Sequence, residues 1–128
     1  MKKNLLFLCY YNELKKSEFI VKFFDELRDE IICFIDNKNE IKVFSSICPH
    51  FGGEIFYKKT ENVLACNWHN WKFCSSTGKC LSFPIKFGLN PYDFEINPDN
   101  LKTYEFQKIE KKIFIRINYL ILYMLLVI

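Results

Sequence analysis

A single alanine stands against 15 isoleucines and 14 phenylalanines in this chain of 128 residues. Alanine is the strongest helix former, whereas β-branched and aromatic side chains crowd a helix and fit the pleated surface of a strand. The chain is therefore poor in material for long helices and rich in material for sheet. Half of the residues are hydrophobic and 18% are aromatic, which supplies a buried core and excludes wholesale disorder. The length suits one compact domain rather than two.

Turn chemistry divides the chain into short segments. Residues 19–23 read as a first strand, and residues 30–36 as a second with both faces apolar. Asn37-Lys38-Asn39 turns the chain into a third strand over 40–44, where Ile41 and Val43 alternate with Lys42 and Phe44. Asn62 marks another turn before a short strand at 63–65. Segments 72–74 and 79–81 flank Ser75-Ser76-Thr77-Gly78 as a hairpin. Residues 88–100 contain Asn90-Pro91 and Asn97-Pro98-Asp99-Asn100 and read mostly as loop. A closing hairpin joins 103–109 to 113–117 through Glu110-Lys111-Lys112. Strands recurring about every 8–12 residues predict an all-β domain, a small sandwich or barrel. Only residues 1–16 and the C-terminal tail are left for helix.

The net charge of +3 is spread along the chain without a basic block, which argues against a nucleic-acid partner. Met1-Lys2-Lys3 and the apolar residues behind it imitate the start of a signal peptide. Glu13-Leu14-Lys15-Lys16 interrupts that run, and no small-residue cleavage site follows. Residues 119–128 are uncharged and mostly apolar, yet a spanning helix needs roughly 20 such residues. We expect a last strand with a buried tail there rather than a membrane anchor.

Chemistry concentrates in two short pairs, Cys48-Pro49-His50 and Cys66-Asn67-Trp68-His69, which contain both histidines of the chain. Fifteen residues separate His50 from Cys66. A structural zinc site usually groups two cysteines and then two histidines. Here each pair offers one thiolate and one imidazole, which suits two metal ions side by side. Two thiolates on one iron and two imidazoles on the other is the Rieske form of the [2Fe–2S] cluster. A zinc-stabilised binding module is the non-redox alternative.

This C-x-H and C-x-x-H pattern, with Phe51-Gly52-Gly53 after the first pair and Asn70-Trp71-Lys72-Phe73 after the second, resembles the Rieske iron–sulfur family. The resemblance implies an antiparallel β sandwich or barrel with an inserted cluster-binding subdomain, about residues 46–84. The domain would cover 18–117, leaving 1–17 as an N-terminal extension and 118–128 as a hydrophobic tail. Carried over residue by residue, Cys48 and Cys66 hold the inner iron while His50 and His69 hold the outer one. Ser82-Phe83-Pro84 falls where relatives place a proline-containing loop over the cluster. Two positions depart from the pattern: Asn67 stands where many relatives have proline, and Asn70 where many have glycine. Asparagine tolerates a left-handed backbone, so the second loop is expected to turn nonetheless.

Replacing two thiolates by neutral imidazoles removes negative charge, so a Rieske cluster accepts its electron at a higher potential than an all-cysteine one. Respiratory-chain members raise it further with a serine and a tyrosine hydroxyl, where this chain has Trp71 and Phe73. They also link the two loops by a disulfide, where this chain has Gly53 and Trp68. The expected potential is therefore at the low end of roughly −150 to +300 mV. Trp68 and Trp71 are expected to shield the cluster from water. Cys33 reads as a small core residue, and Cys74 and Cys80 as free thiols in a reducing cytoplasm.

With both histidines assigned, none remains for the 2-His-1-carboxylate iron site of an oxygenase. The leading expectation is a one-electron carrier, a Rieske ferredoxin working between a reductase and an oxygenase or similar acceptor. The alternative is the N-terminal electron-delivery domain of a larger monooxygenase. His69-Asn70-Trp71-Lys72 is locally similar to the Rieske segment of CMP-N-acetylneuraminate hydroxylases.

Overall fold

The computed structural model describes residues 4–49, 52–68, 70–82 and 100–117. Among the described residues, nine strands and one short helix follow one another: β1 (Leu5–Tyr10), α1 (Tyr11–Lys15), β2 (Ile20–Phe24), β3 (Asp29–Ile35), β4 (Ile41–Ser45), β5 (Ile55–Lys58), β6 (Val63–Cys66), β7 (Lys72–Cys74), β8 (Phe106–Ile109) and β9 (Lys112–Arg116). They form three antiparallel three-stranded sheets, ordered β1-β9-β8, β2-β3-β4 and β5-β6-β7. The expected all-β antiparallel class is the observed one.

The middle sheet explains the apolar faces of residues 30–36. Side chains on a strand alternate between its two faces. On β3, Ile32 and Phe34 enter one buried core while Ile31 and Cys33 enter another. On β4, the cross-strand pairs Ile32↔Phe44 and Cys33↔Val43 repeat the division. The β2-β3-β4 sheet is thus a wall with a core on each side. One core holds Leu8, Cys9, Ile113 and Ile115 from β1 and β9. The other holds Ile55, Tyr57, Leu64, Cys66 and Phe73 from the β5-β6-β7 sheet. Phe34 stacks on Tyr57 across that second core, with ring centroids 4.0 Å apart.

Several turns have the chemistry expected of them. Asp36 accepts hydrogen bonds from the Lys38 and Glu40 amides through one carboxylate oxygen, both at 2.9 Å. Asn39 adopts a left-handed φ of 64° in the same turn, and Asn62 one of 53° in the next. In the 72–81 hairpin, Cys74 N–H donates to the Lys79 carbonyl and Phe73 bridges Cys80. Phe73 and Cys80 therefore share a face and Cys74 lies on the other. That register keeps the two hairpin thiols apart, and neither is in a disulfide. Cys33 is fully buried, as a core residue should be.

The N-terminal segment departs from expectation. Residues 5–10 are not part of a helical extension: they pair with β9 as an edge strand of the base sheet. Only Tyr11–Lys15 is helical, opened by Glu13, whose carboxylate accepts from Tyr10 N–H at 3.0 Å. The strand was hard to read because its pairing slips between Phe7 and Cys9. Such a bulge inserts one extra residue, so consecutive Leu8 and Cys9 are both buried and the alternation is lost. Strand β5 also had no prediction. The loop expected at 88–100, apart from Asn100, and the tail at 118–128 lie outside the described residues.

Residues 100–105 return along the wall. Ser45 N–H donates to the Lys102 carbonyl at 2.9 Å, and the Tyr104 hydroxyl donates to Asp29 at 2.5 Å. Truncating Phe34 should open a cavity in the core that carries Cys66. Phe34→Ala is expected to lower unfolding free energy by about 3–5 kcal/mol, read as a lower urea midpoint at unchanged slope.

Candidate metal centre

Both predicted cysteine ligands sit where strands end. Cys66 is the last residue of β6, and its partner across the β5–β6 ladder is Ile55. Ile55 faces the core, so Cys66 does too, and only 1% of its surface is exposed. Cys48 lies beyond β4 in a tight loop and is 2% exposed. Its N–H donates to the Gly53 carbonyl at 2.8 Å, and its carbonyl accepts from Gly52 N–H at 2.9 Å. Gly52 takes a left-handed φ of 76°, which closes that loop.

The two thiols are neighbours. Burial pushes the Cys66 thiol above its ordinary range, and the adjoining Cys48 thiol adds to the rise. Trp68 N–H opposes them by donating to Cys66 Sγ at 3.3 Å. Two buried thiols side by side are costly to ionise unless a cation lies between them. The chain also keeps side-chain bulk away from this sulfur. A methyl group placed on Gly53 would lie 2.7 Å from Cys66 Sγ and 3.1 Å from Trp68 Cβ. The donor set and the cleared approach to the sulfur fit an iron centre with two thiolate ligands on one iron. His50 and His69 lie outside the described residues.

The backbone holds the two loops together. Ile47 bridges Glu54 on one side. On the other, Asn67 N–H donates to the Glu54 carbonyl at 2.9 Å and Glu54 N–H donates to Asn67 Oδ1 at 3.0 Å. Cys66 N–H donates to the Trp71 carbonyl at 2.8 Å, which closes the second loop. Asn70 has the left-handed φ, 55°, expected of it in place of glycine. Ser82 Oγ accepts from Lys72 N–H at 3.0 Å and ties the start of the predicted Ser-x-Pro segment to β7. Phe83 and Pro84 lie outside the described residues.

The two tryptophans divide the roles assigned to them together. Trp71 is half-buried and packs on the core that contains Cys48 and Cys66, as a shield would. Trp68 is 55% exposed and lies at the surface. Glu54 went unnoticed in the sequence because its contribution is made entirely by main-chain atoms. Asn67 drew notice as a departure, but its partner was not legible.

Comparison with known proteins bears on the family and the fold. A family model described as the Rieske [2Fe–2S] domain matches residues 4–93. The oxygenase subunit of 3-chlorobenzoate-3,4-dioxygenase from Comamonas testosteroni is 36% identical over 59 residues, covering 45% of this chain and 13% of that protein. The chain thus spans about an eighth of that relative's length. Among solved structures, the quaternary ammonium Rieske monooxygenase CntA superposes with a TM-score of 0.70 at 18% identity, over 91% of this chain and 32% of that one. The ferredoxin of carbazole 1,9a-dioxygenase from Nocardioides aromaticivorans superposes with a TM-score of 0.66 at 14% identity, over 91% of this chain and 100% of that one.

The two adjacent glycines give a test of the packed sulfur. Gly53→Ala is expected to lose most bound iron, because its methyl group displaces Cys66 or Trp68. Gly52→Ala has open space around its methyl group and should cost about 1 kcal/mol of backbone strain with iron retained. Iron and acid-labile sulfide per chain are the measurements.

Proposed function

The chain belongs to the Rieske [2Fe–2S] domain family, and on that premise we propose that it is a one-electron carrier. In this reading Cys48 and Cys66 hold one iron of the [2Fe–2S] cluster, and His50 and His69 hold the other. The observation that supports it best is the pair of adjoining buried thiols at the ends of two loops joined through one backbone segment. The cluster, when bound, takes up and gives back one electron. Trp71 and Phe73 keep water from the sulfur side. Trp68 N–H donates to the Cys66 sulfur and favours its anionic form.

The partners in this reading are a reductase on one side and an oxygenase or similar acceptor on the other. Trp68, Ile47 and Leu81 are exposed apolar side chains beside the ligand loops or on the adjoining hairpin. They offer a redox partner a contact surface close to the cluster. The cytoplasm belongs to this reading as its compartment, because the cysteines serve as ligands and core residues rather than a disulfide framework. Among the described residues, no helix is long and apolar enough to cross a membrane.

A second reading is favoured by a specific observation. The curated relatives are oxygenase components or a desaturase, and the chain spans only 13–14% of their lengths. In that reading the domain delivers electrons to a mononuclear iron elsewhere in a longer protein, such as one similar to CMP-N-acetylneuraminate hydroxylases. The two histidines of the chain are both used by the cluster, so any oxygen chemistry belongs to another domain or partner.

Absorbance and EPR of the purified chain test the common premise. A coloured protein with a low average g value when reduced is expected, and a colourless zinc protein would overturn it. Redox titration is expected to place the midpoint below about 0 mV, given the absence of a hydroxyl at positions 71 and 73. Cys48→Ser and Cys66→Ser should each lose the cluster. His50→Cys or His69→Cys should shift any retained cluster towards the roughly −400 mV of plant-type ferredoxins.

A further inference from the structure

We propose that the Asn67 side chain is a positioning group that locks the second ligand loop to the first, its carboxamide standing in for a main-chain carbonyl. The inference rests on the ligand assignment above and adds a residue that touches no iron. Strands β5 and β6 pair from Lys58↔Val63 to Ile55↔Cys66. The next pair in that register is Glu54 and Asn67, and a regular antiparallel ladder would join them by two main-chain hydrogen bonds. One is present: Asn67 N–H donates to the Glu54 carbonyl at 2.9 Å. In the other, Glu54 N–H donates to Asn67 Oδ1 at 3.0 Å, where the ladder would use the Asn67 main-chain carbonyl.

The substitution has a geometric use. The ladder gains one more rung while the Asn67 carbonyl is released, so the chain can already swing away towards Trp68. Asparagine is suited to this because its short side chain mimics a main-chain amide in turns. Glu54 also bridges Ile47 on its other side. Glu54's own N–H and carbonyl both go to Asn67, while its neighbours reach the first loop: Ile55 N–H donates to the Ser46 carbonyl and Cys48 N–H to the Gly53 carbonyl. Gly53, next to it, lies against Cys66 Sγ and within 3.1 Å of Asn67 Oδ1 in the sense of an added methyl group. The separation of the two thiols is set through this three-way junction before any metal enters.

Proline at position 67 would remove both bonds, alanine only the side-chain one, and aspartate neither. The test compares Asn67→Ala and Asn67→Asp with the unaltered full chain. In the metal-free protein, hydrogen exchange at the Glu54 amide should be about five-fold faster in Asn67→Ala, as expected for one lost hydrogen bond, and near normal in Asn67→Asp. In the iron-loaded protein, Asn67→Ala should give up iron to a chelator several-fold faster with a broadened EPR signal, and Asn67→Asp should restore both. Unchanged Glu54 exchange in Asn67→Ala overturns the clamp. Unchanged iron release and EPR with faster exchange overturns its bearing on the ligands. If the unaltered chain takes up no Rieske cluster, the proposed function falls, and the Glu54 exchange still decides whether the clamp exists.

Discussion

Two thiolates that share a metal must be brought together without being exposed to water, and each resists ionisation more strongly the deeper it lies. Under the proposed assignment, the chain meets this constraint with main-chain hydrogen bonds and one side-chain carboxamide. Cys48 and Cys66 emerge from the ends of different strands and are both buried. The loops that carry them are joined through Glu54, which has Ile47 on one side and Asn67 on the other. One side chain takes part, that of Asn67, whose Oδ1 accepts from Glu54 N–H, and next to it Gly53 leaves no room for even one methyl group against the Cys66 sulfur. Loops fastened by backbone pairing inherit the rigidity of the sheet from which they extend.

The rest of the architecture supports that junction. Ile55, Tyr57, Leu64, Cys66 and Phe73 share one core with Ile32, Phe34 and Phe44 of the wall. Cys66, a proposed ligand, is thus itself a member of a packed apolar core. A change of packing at Phe34 acts on the thiol through contiguous side chains, while changes at Ile113 or Ile115 act on the other side of the wall. Packing on the Phe34 side of the β2-β3-β4 sheet thus bears on Cys66 more directly than packing on the other side.

How much could be read beforehand depends on which atoms carry the structure. The left-handed Asn70, the 37–39 turn and the 72–81 hairpin were all legible, because a turn residue's backbone preference decides them. Strand β3 was legible with both faces apolar, but the reason, two cores separated by one sheet, was not. Strand β1 was lost because a bulge at Leu8 breaks the alternation, and β5 because Gly52-Gly53 before it reads as loop. Trp68 and Trp71 were assigned one role from composition, and the structure separates them by exposure. The Glu54–Asn67 junction was illegible because the Glu54 half is main chain only, and nothing in the sequence says which backbone amide the Asn67 carboxamide meets.

The pairing of β1 with β9 has a consequence for how such a unit is used. Leu5 lies opposite Arg116, and Ile117 N–H donates to the Asn4 carbonyl at 2.7 Å. Asn4 and Ile117 therefore lie side by side, on the far side of the wall from Cys48 and Cys66. A module whose entrance and exit coincide can be spliced into a larger protein by short connectors without disturbing its working end. Under the proposed function, this strand pairing is compatible both with a carrier standing alone and with a domain inside a multidomain enzyme.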